Sequence, residues 1–386
     1  MFSFKRASGK AVLIADVDDA SVGVAIVRVP KDGPLAILVS ERKRLTIEDR
    51  TPEQRASGVL QLLDACTDSV LKTYHASDTK HSPAIPRDVY VIVRSAWSRF
   101  RTARAEEVLE KPRTVTKEYL STLAKKALAE SSDFDRANII ESGVLNVNVN
   151  GYRTDNPLGK KGVRVSVVAF ESDIQAEIKR GITQTLGKYL PGRQPIIASG
   201  MRSMLTVLYD QMPNAHGYVV MEMGNIQSTC IVIHDDSVSG SGVVPEGLMT
   251  IAKRLSGAGI PEEIISQLRM LGTDICATDA CKALKDLLAR LEPELVKAFG
   301  DVFSAFALQK RMPNTIMLIA PTELTPWLQG FLSRIDFAQF TITLQPFTIE
   351  LVSSYEVNVR VDWKGLPADT GITTAAKYVH ILAHES

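Results

Sequence analysis

The chain has 386 residues, about two to three times a usual domain, which predicts two domains or one architecture in two lobes. Its 45 Lys and Arg against 44 Asp and Glu leave a formal charge of +1, which removes the long-range field that non-specific nucleic-acid binding needs. A hydrophobic fraction of 45% with 23% charged residues excludes a disordered or fibrous chain.

No apolar run approaches the ~18 residues of a membrane span, and MFSFKRASGK lacks the apolar stretch of a secretory signal. A cytoplasmic location is therefore expected. In chain order, residues 12–29 (VLIADVDDASVGVAIVRV) read as strand, polar turn and strand, with β-branched residues in both arms. A helix is predicted over 51–74, with Val59, Leu60, Leu62, Leu63 and Val70 on one face, then a breaker-rich loop over 75–86 and a strand over 89–93. Next come a helix over 116–130 capped by Thr116 and strands near 139–149 and 163–170, joined by the polar NGYRTDNPLGKKG. A helix over 173–189, a strand near 195–198 and a helix over 201–211 lead to a second strand, turn and strand, GYVVMEMGNIQSTCIVIHD, over 217–235. GLMTIAKRLSGAG is a helix stopped by glycines, two or three helices lie between 261 and 309, and TIMLIAP is a buried strand. A helix over 322–335 carries Pro326 in its first turn. Alternating residues over 340–363 predict edge or antiparallel strands.

Cys66, Cys230, Cys276 and Cys281 fit a reducing compartment as isolated thiols, and no zinc site is expected because Cys276 and Cys281 lack a second pair or a nearby histidine. His380 and His384 have i, i+4 spacing, but Ile381 holds the general-base place of a zinc-protease helix, so they read as two histidines on an ordinary helix. Arg99, Arg101 and Arg104, beside Glu106 and Glu107, read as a solvated face.

The two hairpins echo one another. Asp16 and Glu222, 206 residues apart, each follow an apolar run and precede a polar turn and another apolar strand, a spacing suited to two homologous lobes. In this arrangement the chain resembles the actin-like superfamily, and within it the FtsA division proteins and PilM pilus-assembly proteins. The likeness lies in DVDDASVGVAIV, at the place of an Asp-Ile-Gly-Thr-type turn, and in an insertion ordered strand, helix, strand, strand. It lies also in VNVNGYRTDNPLGKKGVRVSVV, and in EMGNIQSTCIVI followed by GVVPEGLMTIAKRL. The resemblance implies a two-lobed α/β actin-like (ribonuclease H-like) fold. Residues 1–97 would begin the first lobe, 98–170 form an inserted partner-binding subdomain, 171–212 complete the first lobe and 213–386 make the second.

The resemblance also implies a vestigial nucleotide site at Asp16, Asp18, Asp19, Gly224, Asn225, Gly247, Ser266, Arg269, Ala320 and Pro321. Phosphate-binding turns use glycines so that backbone N–H groups can approach the anion. Here Asp18 and Asp19 stand at the Gly and Thr places, Asn225 at a Gly place, Ala320 and Pro321 at a Gly-Gly pair, and Ser266 where the family offers a ribose-binding Glu; Arg269 keeps the cationic partner. Each carboxylate roughly 5 Å from a phosphate would oppose it by about 3 kcal/mol. Asp16 matches the family's metal-water carboxylate, which makes Asp16 and Asp18 magnesium ligands if ATP binds. As plain residues, a D-x-D-D run between strands is an ordinary turn composition.

Three functions stay open. The first is a scaffold with eroded nucleotide chemistry and no cofactor, recruiting partners at the cytoplasmic membrane face in cell division or type IV pilus assembly. The second is an active ATPase using ATP and Mg2+. The third is a sugar kinase, for which the sequence offers no catalytic carboxylate. The loop over 150–162, with Tyr152, Arg153, Lys160 and Lys161, is the expected partner surface. Expected partners are other proteins of a membrane-associated assembly, with further copies of the chain in an oligomer or filament. ITTAAKYVHILAHES holds too few cations for an amphipathic anchor, so membrane contact is expected to be indirect or weak.

Overall fold

The computed structural model describes residues 9–30, 33–77, 86–129, 134–154, 156–212, 217–235, 237–271, 279–321, 323–352 and 361–385. The first lobe opens with a hairpin of β1 (Gly9–Val17) and β2 (Ser21–Pro30), Asp16 opposite Gly23. β3 (Leu35–Arg44) runs antiparallel to β2, α1 (Pro52–Ser77) crosses over, and β4 (Asp88–Val93) returns parallel to β1. An inserted sheet follows, made of β5 (Ser98–Thr114), α2 (Lys117–Leu128), β6 (Ile139–Val149), β7 (Tyr152–Arg153) and β8 (Lys161–Ile174), with strand order β5-β8-β6-β7. Then come α3 (Ala176–Tyr189), β9 (Ile196–Ser199) parallel to β4, and α4 (Gly200–Gln211).

The second lobe repeats this plan. β10 (Gly217–Met223) and β11 (Ser228–His234) form the second hairpin, β12 (Ser237–Val244) lies antiparallel beside β11, and α5 (Leu248–Ser256), α6 (Pro261–Leu271) and α7 (Asp279–Gln309) follow. β13 (Thr315–Ile319) is parallel to β10, and after α8 (Thr325–Arg334) the strand β14 (Thr348–Leu351) is parallel to β13. The order β3-β2-β1-β4-β9 in one sheet is thus matched by β12-β11-β10-β13-β14 in the other. The hairpin echo in the sequence is the visible part of a five-strand duplication.

The two lobe sheets are buried on both faces, which is why their central strands read as nearly unbroken apolar runs. In the first lobe Leu13, Ala15 and Val17 face α1 and α3, while Val12 and Ile14 face the opposite layer. In the second, Val219 and Met221 face the layer of α5 to α8, and Val220 packs with Met201, Met204 and Leu205 of α4. Thr116 caps α2, accepting from the Tyr119 N–H at 3.2 Å.

Several expectations are corrected. Residues 361–385 do not belong with the second lobe: β15 (Val361–Asp362) pairs with β3, and α9 (Thr370–Glu385) buries Ile372, Ala375, Ala376, Tyr378 and Val379 against the first sheet. The segment weighed as a membrane anchor is a core helix, with Lys377 itself buried. β8 runs beyond Phe170 to Ile174, so the helix expected from 173 starts at Ala176. The helix expected from 322 starts at Thr325, after a turn in which the Leu324 N–H donates to the Pro321 carbonyl at 2.9 Å. β14 and β15 are edge strands, as the alternation over 340–363 predicts, and both pair in parallel; β12 was not foreseen. Of the loop over 75–86, residues 75–77 continue α1 and 78–85 lie outside the described residues. Cys66 and Cys230 are free, but Cys281 is disulfide-bonded, against the expectation of isolated thiols; Cys276 lies outside the described residues. Among the described residues no helix is long and apolar enough to cross a membrane.

Candidate functional site

The two hairpin turns face each other across the interlobe cleft and have the same hydrogen-bonded form. The Asp18 N–H donates to the Ser21 carbonyl and the Gly224 N–H to the Gln227 carbonyl, both at 2.9 Å. The second turn sits on the N-terminus of α5, where the Leu248 and Met249 N–H groups donate to the Gly224 and Asn225 carbonyls at 3.1 and 2.6 Å. Gly247 makes that seat possible, since a Cβ there would lie 2.5 Å from the Asn225 carbonyl carbon.

The turns are joined directly. The N–H groups of Asn225 and Ile226 donate to Oδ1 and Oδ2 of Asp19 at 3.0 and 2.7 Å, and the Asn225 amide donates to Asp18 Oδ2 at 2.7 Å. The Asp18 carbonyl accepts from the Trp97 indole at 2.7 Å. Burial, with the charges of Asp19 and Asp16 close by, pushes the Asp18 carboxyl well above the usual carboxylate range. Burial also raises Asp19, against the opposing pull of the N–H groups it accepts from.

Below the turns lies a charged layer in which Asp16 and Glu222, marked by the sequence, meet arginines that the sequence reading did not select. Asp16, on β1, and Glu222, at the matching place on β10, are both bridged by Arg94 at the end of β4: Nε donates to Asp16 Oδ1 at 2.6 Å and Nη1 to Glu222 Oε1 at 2.7 Å. The Ser95 hydroxyl takes the other oxygen of Glu222 at 2.7 Å. Arg42, from β3, takes the other oxygen of Asp16 at 2.6 Å and also holds Asp369 at the start of α9 at 2.5 Å. Gly23 opens the way for it, since a Cβ there would meet Arg42 Nη2 at 2.6 Å. Burial works against the charge on Arg94, but Asp16 and Glu222 outweigh it and hold the guanidinium above its ordinary value. At the rim, Arg44 grips Glu323 with two bonds at 2.8 and 3.1 Å, and Arg269 adds a third at 2.8 Å. Burial opposes the Glu323 charge, but these arginines bring its pKa down to about 2.

The cleft brings together Asp16, Asp18, Gly224, Asn225, Arg269, Ala320 and Pro321 around a volume of about 740 Å³, with Asp19 and Gly247 packed behind. Ser266 is not among the lining residues: it is exposed on α6 and donates to the Glu262 carbonyl of its own helix. On the insert, Tyr152, Lys160 and Lys161 are exposed, Tyr152 at 79%. Arg153 is not a free anchor, because its guanidinium lies over the Tyr209 ring of α4 at 5.4 Å. Arg99 and Arg101, instead of facing solvent unpaired, hold Asp173 and Glu171.

No protein-family model and no curated protein matches the sequence. Among solved structures the chain is similar to one in the PilM-PilN type IV pilus biogenesis complex, at 14% identity over 97% of each chain with a TM-score of 0.52. The chain has the actin-like fold. The ethanolamine utilization protein EutJ from Carboxydothermus hydrogenoformans is also similar, 9% identical over 97% of this chain and 91% of that one, with a TM-score of 0.43.

An actin-like site raises the question of ATP and magnesium, and the side chains here do not fit them. Both oxygens of Asp16 are engaged by guanidinium groups, which repel a cation, and Asp18 Oδ2 is taken by Asn225. Pro321 has no N–H to offer on the opposite wall. The missed arginines sit on separate elements, and the placement of Arg94 two residues beyond Ile92, the strand partner of Asp16, appears only once β1 and β4 are paired.

Proposed function

We propose that the protein is an actin-fold scaffold that neither binds nor hydrolyses ATP, and that it recruits partner proteins of a pilus-type assembly at the cytoplasmic face of the membrane. The observation that carries this reading is Arg94, whose guanidinium occupies the space between Asp16 and Glu222 and bonds both. Both oxygens of Asp16 and of Glu222 already accept from Arg94, Arg42 and Ser95, so a metal-bound water would have to compete with those bonds, and Arg94 is committed to two carboxylates before any phosphate arrives. The similarity to a chain from a complex of two pilus-biogenesis proteins supports a role in assembly. The insert would present Tyr152, Lys160 and Lys161 to a protein partner, an exposed aromatic and cationic set of the kind that anchors interfaces.

The second reading, an active magnesium-dependent ATPase that gates assembly, is favoured by the size of the cleft, which at about 740 Å³ lies in the range of ligand pockets. Calorimetric titration of the wild-type chain with ATP, with and without magnesium, decides between them. The scaffold reading expects a dissociation constant no tighter than about millimolar, equivalent to ~4 kcal/mol, and no turnover. Micromolar binding that disappears with chelator would establish the ATPase instead.

A further inference from the structure

We infer that the second hairpin turn is an anion site whose occupant is the chain's own Asp19 carboxylate, a tethered ligand that holds the lobes closed in place of a free anion. The inference concerns the same cleft as the proposed scaffold role but does not depend on who the partner is.

Four observations converge. Asp19 is 2% exposed and belongs to the first lobe, yet both its oxygens are bonded to consecutive N–H groups of the second lobe, those of Asn225 and Ile226. Successive backbone N–H groups in a tight turn form a concave nest for an anion, and a two-oxygen acceptor matches it as a phosphate edge does. Gly224 provides the approach, since a Cβ there would stand 3.2 Å from Asp19 Oδ2 and 2.9 Å from the Gln227 carbonyl. The turn also rests on the α5 N-terminus, whose dipole favours negative charge on this side. A carboxylate making no contact beyond its own hairpin would be a turn ornament; this one crosses the cleft to N–H groups 206 and 207 residues away.

Seen this way, Asp19 does not repel an incoming anion so much as pre-empt it. The chain carries its ligand at fixed effective concentration, so closure of the lobes no longer depends on a diffusible metabolite.

The test is chemical rescue. Asp19→Ala empties the nest without adding bulk, and its thermal midpoint should fall below that of wild type by several degrees. Formate, acetate or inorganic phosphate, added at constant ionic strength, should restore the midpoint saturably, while wild type responds to none of them beyond the response to chloride. The ratio of apparent affinities, variant over wild type, should be at least about tenfold, read from the dependence of stability on ligand concentration. Asp19→Asn, which keeps the shape but presents an amide where a carboxylate oxygen accepted an N–H, provides the second arm: it should be destabilised too, and not rescued, because the amide still fills the site. If Asp19→Ala is folded and no anion restores it, or if Asp19→Asn matches wild type, the carboxylate is an ordinary structural group and the inference fails. Should Asp19→Ala not fold, the Asn variant alone decides by the same criterion. Failure here with no ATP binding by wild type leaves the scaffold reading standing; micromolar Mg-ATP binding by wild type removes that reading whatever the rescue shows.

Discussion

Nη1 of Arg94 lies 2.7 Å from Oε1 of Glu222, and this pair ties the end of the strand before the insert to the opening strand of the other lobe. Both side chains are almost fully buried, at 6% and 7% exposure. Breaking such a pair by removing one partner strands a buried charge. Arg94→Met is therefore expected to cost ~3–5 kcal/mol, measured by urea unfolding. Lys at this position cannot reach both Asp16 and Glu222 with a planar fork, so Arg94→Lys should recover only a minor part of the loss.

The charged form of Asp18 is costly, since burial, Asp19 and Asp16 all raise its pKa. A carboxyl whose pKa is higher in the folded than in the unfolded chain binds more protons when folded, so its unfavourable effect grows as pH rises above the ordinary value near 3.8. Asp18→Asn should raise the thermal midpoint at pH 7, with the gain shrinking as the pH falls towards that value. The buried Oδ1 of Asn225 is without a hydrogen-bond partner, so rotation of that amide lets it accept from the amide the substitution introduces. An equal gain at pH 7 and pH 4 would mean that charge is not the cause.

Glu323 behaves in the opposite sense. Its pKa, brought from 4.5 to about 2 by Arg44 and Arg269 against the pull of burial, gives stability that is complete above 4.5 and lost as pH falls through 2. Arg269 is 66% exposed, so solvent screening reduces its share, and Glu323→Gln is expected to cost roughly 2 kcal/mol at pH 7 and far less at pH 2.5. Acid unfolding curves of the two proteins should converge below that pH.

The insert is bound to the first lobe by Glu141, whose Oε1 accepts from the Ser199 N–H at 2.9 Å and from the hydroxyls of Ser199 and Ser172 at 2.8 Å each. Glu141→Ala should lower stability by about 2 kcal/mol, since it leaves a buried helix N-cap short of its acceptor, whereas Tyr152→Ala should change it by no more than ~0.5 kcal/mol. Capture of partners should follow the reverse order, with Tyr152→Ala and charge reversal at Lys160 and Lys161 the damaging changes. Excision of residues 98–170 also removes Glu141 and the Phe170 ring under Arg202, so the shortened chain is expected to unfold at a lower temperature than the full one.

Much of the architecture was legible because the hairpin strands are buried on both faces and carry long apolar runs, a pattern that leaves few readings. The turns at Asp18 and Gly224 were legible for the same reason, as polar breaks between such runs. What could not be read was the pairing. A D-x-D-D run looks like a cluster of repelling charges until Arg42 and Arg94 are brought in from β3 and β4, and nothing local marks those arginines as inward-facing. Asp369 lies 327 residues beyond Arg42, and only the return of the chain to the first lobe puts them together. Ser266 was placed by the resemblance alone, and on α6 that position faces solvent.

The return of α9 to the first sheet also dictates an order of events on the ribosome. Val12, Ile14, Val27, Leu35 and Ile37 are made more than three hundred residues before the helix that covers them through Ile372, Ala375 and Val379. Throughout synthesis of the intervening segments one face of the earliest sheet is left wet, and closing it requires a loop of more than three hundred residues, the slow kind of contact. The second lobe, whose core is drawn from a continuous stretch between β10 and β14, has no such wait. The first sheet, made before the second lobe, is thus completed after it, and in that interval its uncovered apolar face is the kind of surface chaperones bind.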